Sequence, residues 1–121
     1  MKINIPRDLL MSLNDRTVWQ GSLRQKKTLC ELGKVHGLNS GIKLDRARLT
    51  VLIHWPDNRR RDRHNYTPTI KHLIDGMVDA GVLPDDDDDH LDGPILQTAR
   101  FEPCDKRFAA TMEFIFQAVT A

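Results

Sequence analysis

The sequence predicts a small single-domain α+β fold, with a mixed β-sheet and two principal helices, from three observations. First, 121 residues supply one core and too little for a second, since single cores commonly occupy about 100–150 residues. One domain over residues 1–121 is therefore expected. Second, RARLTVLIHWPD alternates, with Leu49, Val51, Ile53 and Trp55 on one face and Thr50, Leu52 and His54 on the other, as a strand requires. Third, Ile70, Leu73, Ile74, Met77 and Val78 recur at i, i+3, i+4, i+7 and i+8, the full stripe of a buried helix. Composition agrees, because 40% hydrophobic and 29% charged residues can close a core without the excess polarity of a disordered chain.

The elements follow in order. KINI alternates polar and apolar residues and ends at Pro6, a first strand. RDLLMSLNDRTVWQG, with Asn14, Asp15 and Gly21, reads as a loop carrying Arg16 and Trp19. Ser22 caps a first helix from Leu23 to His36. Leu29, Leu32 and Val35 make its partial stripe, Arg24, Lys26, Lys27 and Lys34 lie outside it, and it ends near Gly37. Pro56 stops the alternating strand, and the basic run NRRRDRHN follows. Thr67–Pro68 starts the second helix, because proline is tolerated at the first helical position where its missing N–H costs nothing. Gly81 serves as its C-cap, and VLPDDDDDH leads into an acidic loop. ILQTARFE and AATMEFIFQAV, separated by PCDKRF, read as a closing hairpin.

The chain contains no candidate membrane span. Its most apolar windows, Leu49–Trp55 and Ala109–Val119, are too short or interrupted, and MKINIPRDLL lacks the apolar region of a signal peptide. A cytoplasmic location is expected. Cys30 and Cys104 lack Cys-x-x-Cys spacing and are expected as reduced, partly buried thiols. The formal net charge of +1 conceals an asymmetry. Met1 to Ile74 holds 15 Lys/Arg against 6 Asp/Glu, a balance of +9, and Asp75 to Ala121 holds 3 against 11, a balance of −8. Mutual attraction of the two halves within one fold accounts for this, and so does a polyanion partner bridged by metal ions at one acidic locus.

Candidate chemistry concentrates in RRRDRHNYTPTIKHLIDGMVDAGVLPDD, Arg59 to Asp86. Three arginines at a strand exit precede Asp62, His64 and Asn65. The helix brings Lys71 and Asp75 onto one face, four residues apart, and an acidic pair waits beyond it. An ordinary helix ion pair accounts for Lys71–Asp75 alone, and a solvated strand end accounts for the arginines alone.

Together these residues resemble the RusA family of Holliday-junction resolvases, with its arginine-rich strand end, Asp-x-Asp-Asn, helix-borne Lys and Asp, and Asp-Asp pair. The resemblance extends to PDNRRRD, to the early SLNDR loop and to the order of elements. It implies a RusA-like fold, Asp62 as first acidic ligand, Asn65 as the family's asparagine, Lys71 as catalytic lysine, Asp75 in support, and Asp85–Asp86 as the acidic pair with Asp86 the ligand. Asp62, Lys71 and Asp86 would then be catalytic, and Asp62, Asp85, Asp86 and His64 would stand around the metal. Asn14, Arg16, Arg59, Arg60, Arg61 and Asn65 would contact DNA. Two departures stand out: His64 replaces the second aspartate, and three extra residues separate Asn65 from Lys71.

The implied activity is Mg²⁺-dependent hydrolysis of phosphodiesters in branched DNA, by a homodimer matched to the two-fold axis of a four-way junction. Phosphodiester charge repels hydroxide, so carboxylate-held Mg²⁺ would orient water and a lysine would offset charge in the transition state. Imidazole suits Mn²⁺ better than Mg²⁺, so Mn²⁺ is an expected alternative. Asp87 to Asp89 are expected to solvate their loop, His54 and His72 to be structural, and His90 to be a second candidate beside the metal. Two other classes remain open: a non-catalytic branched-DNA-binding protein, and a protein-interaction module using the acidic loop.

Overall fold

The computed structural model describes residues 1–13 and 19–120, and the side chains of all these except 19–22. The described residues form four strands and two α-helices, in the order β1 (Lys2–Ile5), α1 (Trp19–Ser40), β2 (Ala47–His54), α2 (Thr67–Asp79), β3 (Leu91–Thr98) and β4 (Ala110–Ala118). Short 3-10 turns at Arg7–Leu9 and Arg63–Tyr66 precede the helices. This is the expected small α+β domain. No helix among the described residues is long and apolar enough to cross a membrane.

The sheet is mixed, in the order β1-β4-β2-β3. β4 runs antiparallel to both β1 and β2, and β3 runs parallel to β2. Alternation puts Ile3, Ile5, Leu49, Val51, Ile53, Met112 and Phe114 on one buried face. Ile70, Leu73, Ile74 and Met77 of α2, with Leu29 of α1, complete one continuous core.

The hairpin expected from the last two strands does not form, because β2 lies between them. Parallel pairing of β2 and β3 needs a crossover, which α2 supplies. Gly93–Pro94 then suits β3 to the sheet's edge, where a missing N–H is tolerated. A register shift between Arg48 and Thr50 accommodates that pair. β4, with Ala110, Met112 and Phe114 buried, takes the interior position. β3 also begins at Leu91 rather than Ile95 and ends at Thr98, before Ala99 to Glu102.

The first helix also differs from expectation at both ends. It includes Trp19, read from sequence as loop, and continues through Gly37 to Ser40. Its buried line is Leu29, Gly33 and Gly37, whereas Val35 is 54% exposed. The glycines are contact surface: a Cβ on Gly33 would lie 2.1 Å from the Leu73 carbonyl oxygen, and one on Gly76 would lie 1.9 Å from the Cys30 oxygen. The two helices therefore meet backbone to backbone. The Ser22 cap lies outside the described side chains.

α2 behaves as expected, with Pro68 in its first turn and Gly81 at a φ of +86° just beyond its end. Val82 and Leu83 are buried, which seats the start of the acidic loop in the core. Thr69, fully buried, accepts from the Met11 N–H at 2.7 Å and donates to the Met11 carbonyl at 2.9 Å. The 11–13 segment is thereby fixed against α2.

Candidate functional site

Lys71 lies one turn into α2 and points away from the core, between a carboxylate of its own helix and one from the acidic loop. Its Nζ donates to Asp75 Oδ1 at 3.1 Å and also to Asp86 Oδ2. The lysine side chain is 55% exposed and that of Asp86 25%. The bond to Asp86 is the first cause that raises the Lys71 pKa, and the same bond leads in lowering that of Asp86. Both groups are thus held charged. They line a cleft of about 210 Å³ with Thr67, Ile70, Leu91 and Pro94.

The five aspartates of the loop separate by contact. Asp85 Oδ1 accepts from the Asp86 N–H at 2.7 Å, and Asp87 Oδ1 accepts from the Asp89 N–H at 3.1 Å. Asp85 and Asp87 therefore shape the turn. The carboxylates of Asp88 and Asp89 have no partner among the described residues. His90, expected as a second metal-side candidate, bonds through Nδ1 to the Asp45 carbonyl at 3.0 Å, and its Nε2 lies 4.0 Å from Asp87 Oδ1.

Asp62, His64 and Asn65 belong to the turn that leads into α2. Asp62 Oδ1 caps that turn by accepting from the His64 N–H at 3.1 Å. The His64 ring is exposed and without a partner among the described residues. The Asn65 carbonyl accepts from the Leu13 N–H at 2.7 Å, so the early loop enters here. Asn14 and Arg16 lie outside the described residues. Lys71 contacts both Asp75 and Asp86, with Asp85 beside them, whereas among the described residues no hydrogen bond or ion pair joins Asp62 or His64 to Asp86. Among the described residues, no group of three or more His, Cys, Asp or Glu side chains is set to hold a metal ion.

The arginine run divides as well. Arg61 is only 13% exposed. Its guanidinium stacks 4.6 Å from the Trp55 ring centroid and pairs with Asp57 at 2.9 Å. Arg59 pairs with the same carboxylate at 3.2 Å. Together they lower the Asp57 pKa to about 2, the Arg61 hydrogen bond being the largest cause. Arg60 has no partner among the described residues. The three arginines expected to contact DNA thus differ in their surroundings: Arg60 is without a partner among the described residues, Arg59 shares Asp57, and Arg61 is clamped.

No family model matches the chain, and no curated protein matches it. The site is described by its own geometry.

That geometry adds residues the sequence reading missed. Asp57 anchors Arg59 and Arg61, and its spacing at i, i+2 and i+4 in an extended exit was a visible signal. Arg63, next to Asp62, donates from Nε to the Leu96 carbonyl at 2.9 Å, tying the turn to β3. His54, expected to be structural, has Nδ1 2.8 Å from the Glu102 carbonyl and Nε2 3.6 Å from Glu113 Oε1. His72 lies 3.8 Å from Asp75 Oδ2, and burial is the first cause lowering its pKa.

Proposed function

We propose that the chain is a metal-dependent, structure-selective endodeoxyribonuclease that cuts branched DNA such as four-way junctions, as its resemblance to the RusA resolvases implies. The observation that carries the reading is Lys71 bonded at once to Asp75 and Asp86, across 15 residues of sequence, in the cleft that follows an arginine-rich strand exit. An ion pair within α2 alone would leave the second carboxylate unexplained.

The donor set suits a hard cation held by one or two carboxylates, with water and substrate phosphate completing its shell; it does not suit a closed all-protein cage. Asp86 bonds Lys71 through Oδ2 and Asp62 bonds the turn through Oδ1, so each has a second oxygen for a ligand. Those two carboxylates would hold Mg²⁺ or Mn²⁺, which when bound supplies water activation and charge neutralisation at phosphorus. Lys71 contributes a fixed positive charge beside the phosphate, where negative charge grows in the transition state. Asp75 and Asp86 hold that ammonium in place. Arg60 and, in part, Arg59 bind flanking phosphates, while Arg61 stabilises the strand exit that presents them. Homodimeric action in the cytoplasm, where such DNA is met, belongs to the same reading.

A synthetic four-way junction and a linear duplex, each incubated with Mg²⁺ or Mn²⁺, test the proposal. Nicking confined to the junction, dependent on metal and abolished by Lys71→Ala, is expected. His64→Asp should raise the rate with Mg²⁺ more than the rate with Mn²⁺, because it adds a hard oxygen donor. A second reading, a non-catalytic junction-binding protein, is favoured by the exposed His64 and the absence of a three-ligand group among the described residues. Tight junction binding without nicks under either metal decides for it.

A further inference from the structure

A wide groove lies away from Lys71, at the C-terminal end of β2. It measures about 780 Å³ and runs between the arginine run and residues 97–103. Its charged lining comprises Asp57 and five arginines, Arg59, Arg60, Arg61, Arg63 and Arg100, a balance of +4. Arg60 and Arg100 have no partner among the described residues. Phe101, 94% exposed, lines the same groove.

An isolated exposed phenylalanine is ordinary on a protein surface, but this one sits on a tethered arch. The Ala99 N–H donates to the Ile53 carbonyl at 2.9 Å, and the Cys104 N–H donates to the Trp55 carbonyl at 3.0 Å. Between them the Glu102 carbonyl meets His54 Nδ1 at 2.8 Å. Both feet and the middle of the arch are fixed to the end of β2, so the backbone that carries Phe101 is held at the rim of the groove. Clamping of Arg61 by Asp57 and Trp55 fixes the opposite wall.

An exposed apolar ring in one groove with the guanidinium groups of Arg60, on the strand exit, and Arg100, its neighbour on the arch, matches a ligand with a free π-face and a phosphate. Bases inside a duplex offer no free face, whereas unpaired bases stack on aromatic side chains regardless of sequence. The geometry points to this groove as the binding site for an unpaired stretch of DNA at a branch point, with Phe101 as the stacking platform and Arg60 and Arg100 on its phosphates. This rests on the DNA reading above and extends it, because the groove lies outside the Lys71 cleft.

The test uses the full chain with fluorescein-labelled oligothymidine, and with a four-way junction carrying 2-aminopurine at the branch. Phe101→Ala should weaken oligothymidine binding about tenfold, ~1.4 kcal/mol, while Phe101→Trp retains it. The 2-aminopurine emission should be quenched by the wild-type chain and not by Phe101→Ala. Arg60→Ala with Arg100→Ala should flatten the salt dependence of oligothymidine binding. A chain that nicks junctions yet binds oligothymidine equally well with and without Phe101 overturns the groove assignment and leaves the nuclease reading standing. Phe101-dependent binding in a chain that never nicks supports the groove and removes the nuclease. Equal competition by linear duplex, or by an acidic peptide, overturns the assignment to unpaired DNA.

Discussion

Asp86 and Asp88 are chemically identical neighbours in one run, but only Asp86 meets Lys71. Asp86→Asn should therefore abolish cleavage while leaving junction binding intact, and Asp88→Asn should change neither; nicking and gel-shift assays read both. Because its bond to Lys71 lowers the Asp86 pKa, the stabilisation is present above the ordinary carboxylate value, about 3.9, and is lost as pH falls through the folded-state value. The raised Lys71 pKa keeps the link intact below the ordinary lysine value, about 10.4, and it is lost only as pH rises through the folded-state value. Wild type should accordingly lose more stability than Asp86→Asn between about pH 5 and pH 2, by less than ~1 kcal/mol for so exposed a pair; urea midpoints measure it. Arg60 and Arg61 divide in the same way. Arg61→Ala should cost about 1–2 kcal/mol of stability, because it removes a stack on Trp55 and the clamp on Asp57. It should also return the Asp57 carboxyl from about 2 toward the ordinary value, as followed by carbon NMR. Arg60→Ala should leave stability within ~0.5 kcal/mol and reduce the DNA salt slope by about 1. Spacing made the Lys71–Asp75 pair legible, and only the family resemblance singled out Asp86 from its run; burial separates Arg61 from Arg60, and three consecutive letters carry no record of it.

At the scale of elements, α2 was legible because its apolar stripe is complete and both ends carry their proper residues. α1 was legible only in part. Its contact line contains Gly33 and Gly37, which in a sequence read as breaks, while the apolar Val35 that suggests a buried stripe faces solvent. Glycine serves here by lacking a side chain, and hydrophobic periodicity cannot register that. Gly76→Ala should destabilise the protein by about 3 kcal/mol or more, because the new methyl group meets backbone of α1 that has no rotamer with which to yield. Urea unfolding followed by circular dichroism measures the loss. The last two strands failed as a hairpin for a different reason: neighbours in sequence were taken as neighbours in the sheet. The crossover by α2 and the Gly–Pro pair in β3 together argue for an edge position, and the buried alternation of β4 argues for the interior.

At the scale of the whole molecule, the opposed charges of the two halves prove to be interleaved. Arg48 pairs with Asp92, and Lys71 with Asp75 and Asp86, all across the division at residue 74. Arg100, from the acidic half, joins the basic groove. Internal attraction thus explains part of the asymmetry, and the groove gathers a further share of the basic charge. The partial burial of the two cysteines is open to test. Burial is the first cause raising the pKa of both Cys30 and Cys104, so both should react with a disulfide reagent several-fold more slowly in the native protein than in urea at neutral pH; equal rates would mean that neither thiol is enclosed. The strand order has a consequence in time as well as in space. β4 stands between β1 and β2, so the interior of the sheet is supplied by residues 110–118, late in synthesis, and the terminal amino group of Met1 donates to the Phe114 carbonyl across 113 positions. A β2–α2–β3 unit carrying Lys71 and Asp86 can assemble on the ribosome before that strand emerges, but its β2 edge then stays open. Such distant closure belongs to the slow end of single-domain folding, roughly milliseconds to seconds. Shortening the chain from its C-terminal end would remove the middle of the sheet rather than its margin.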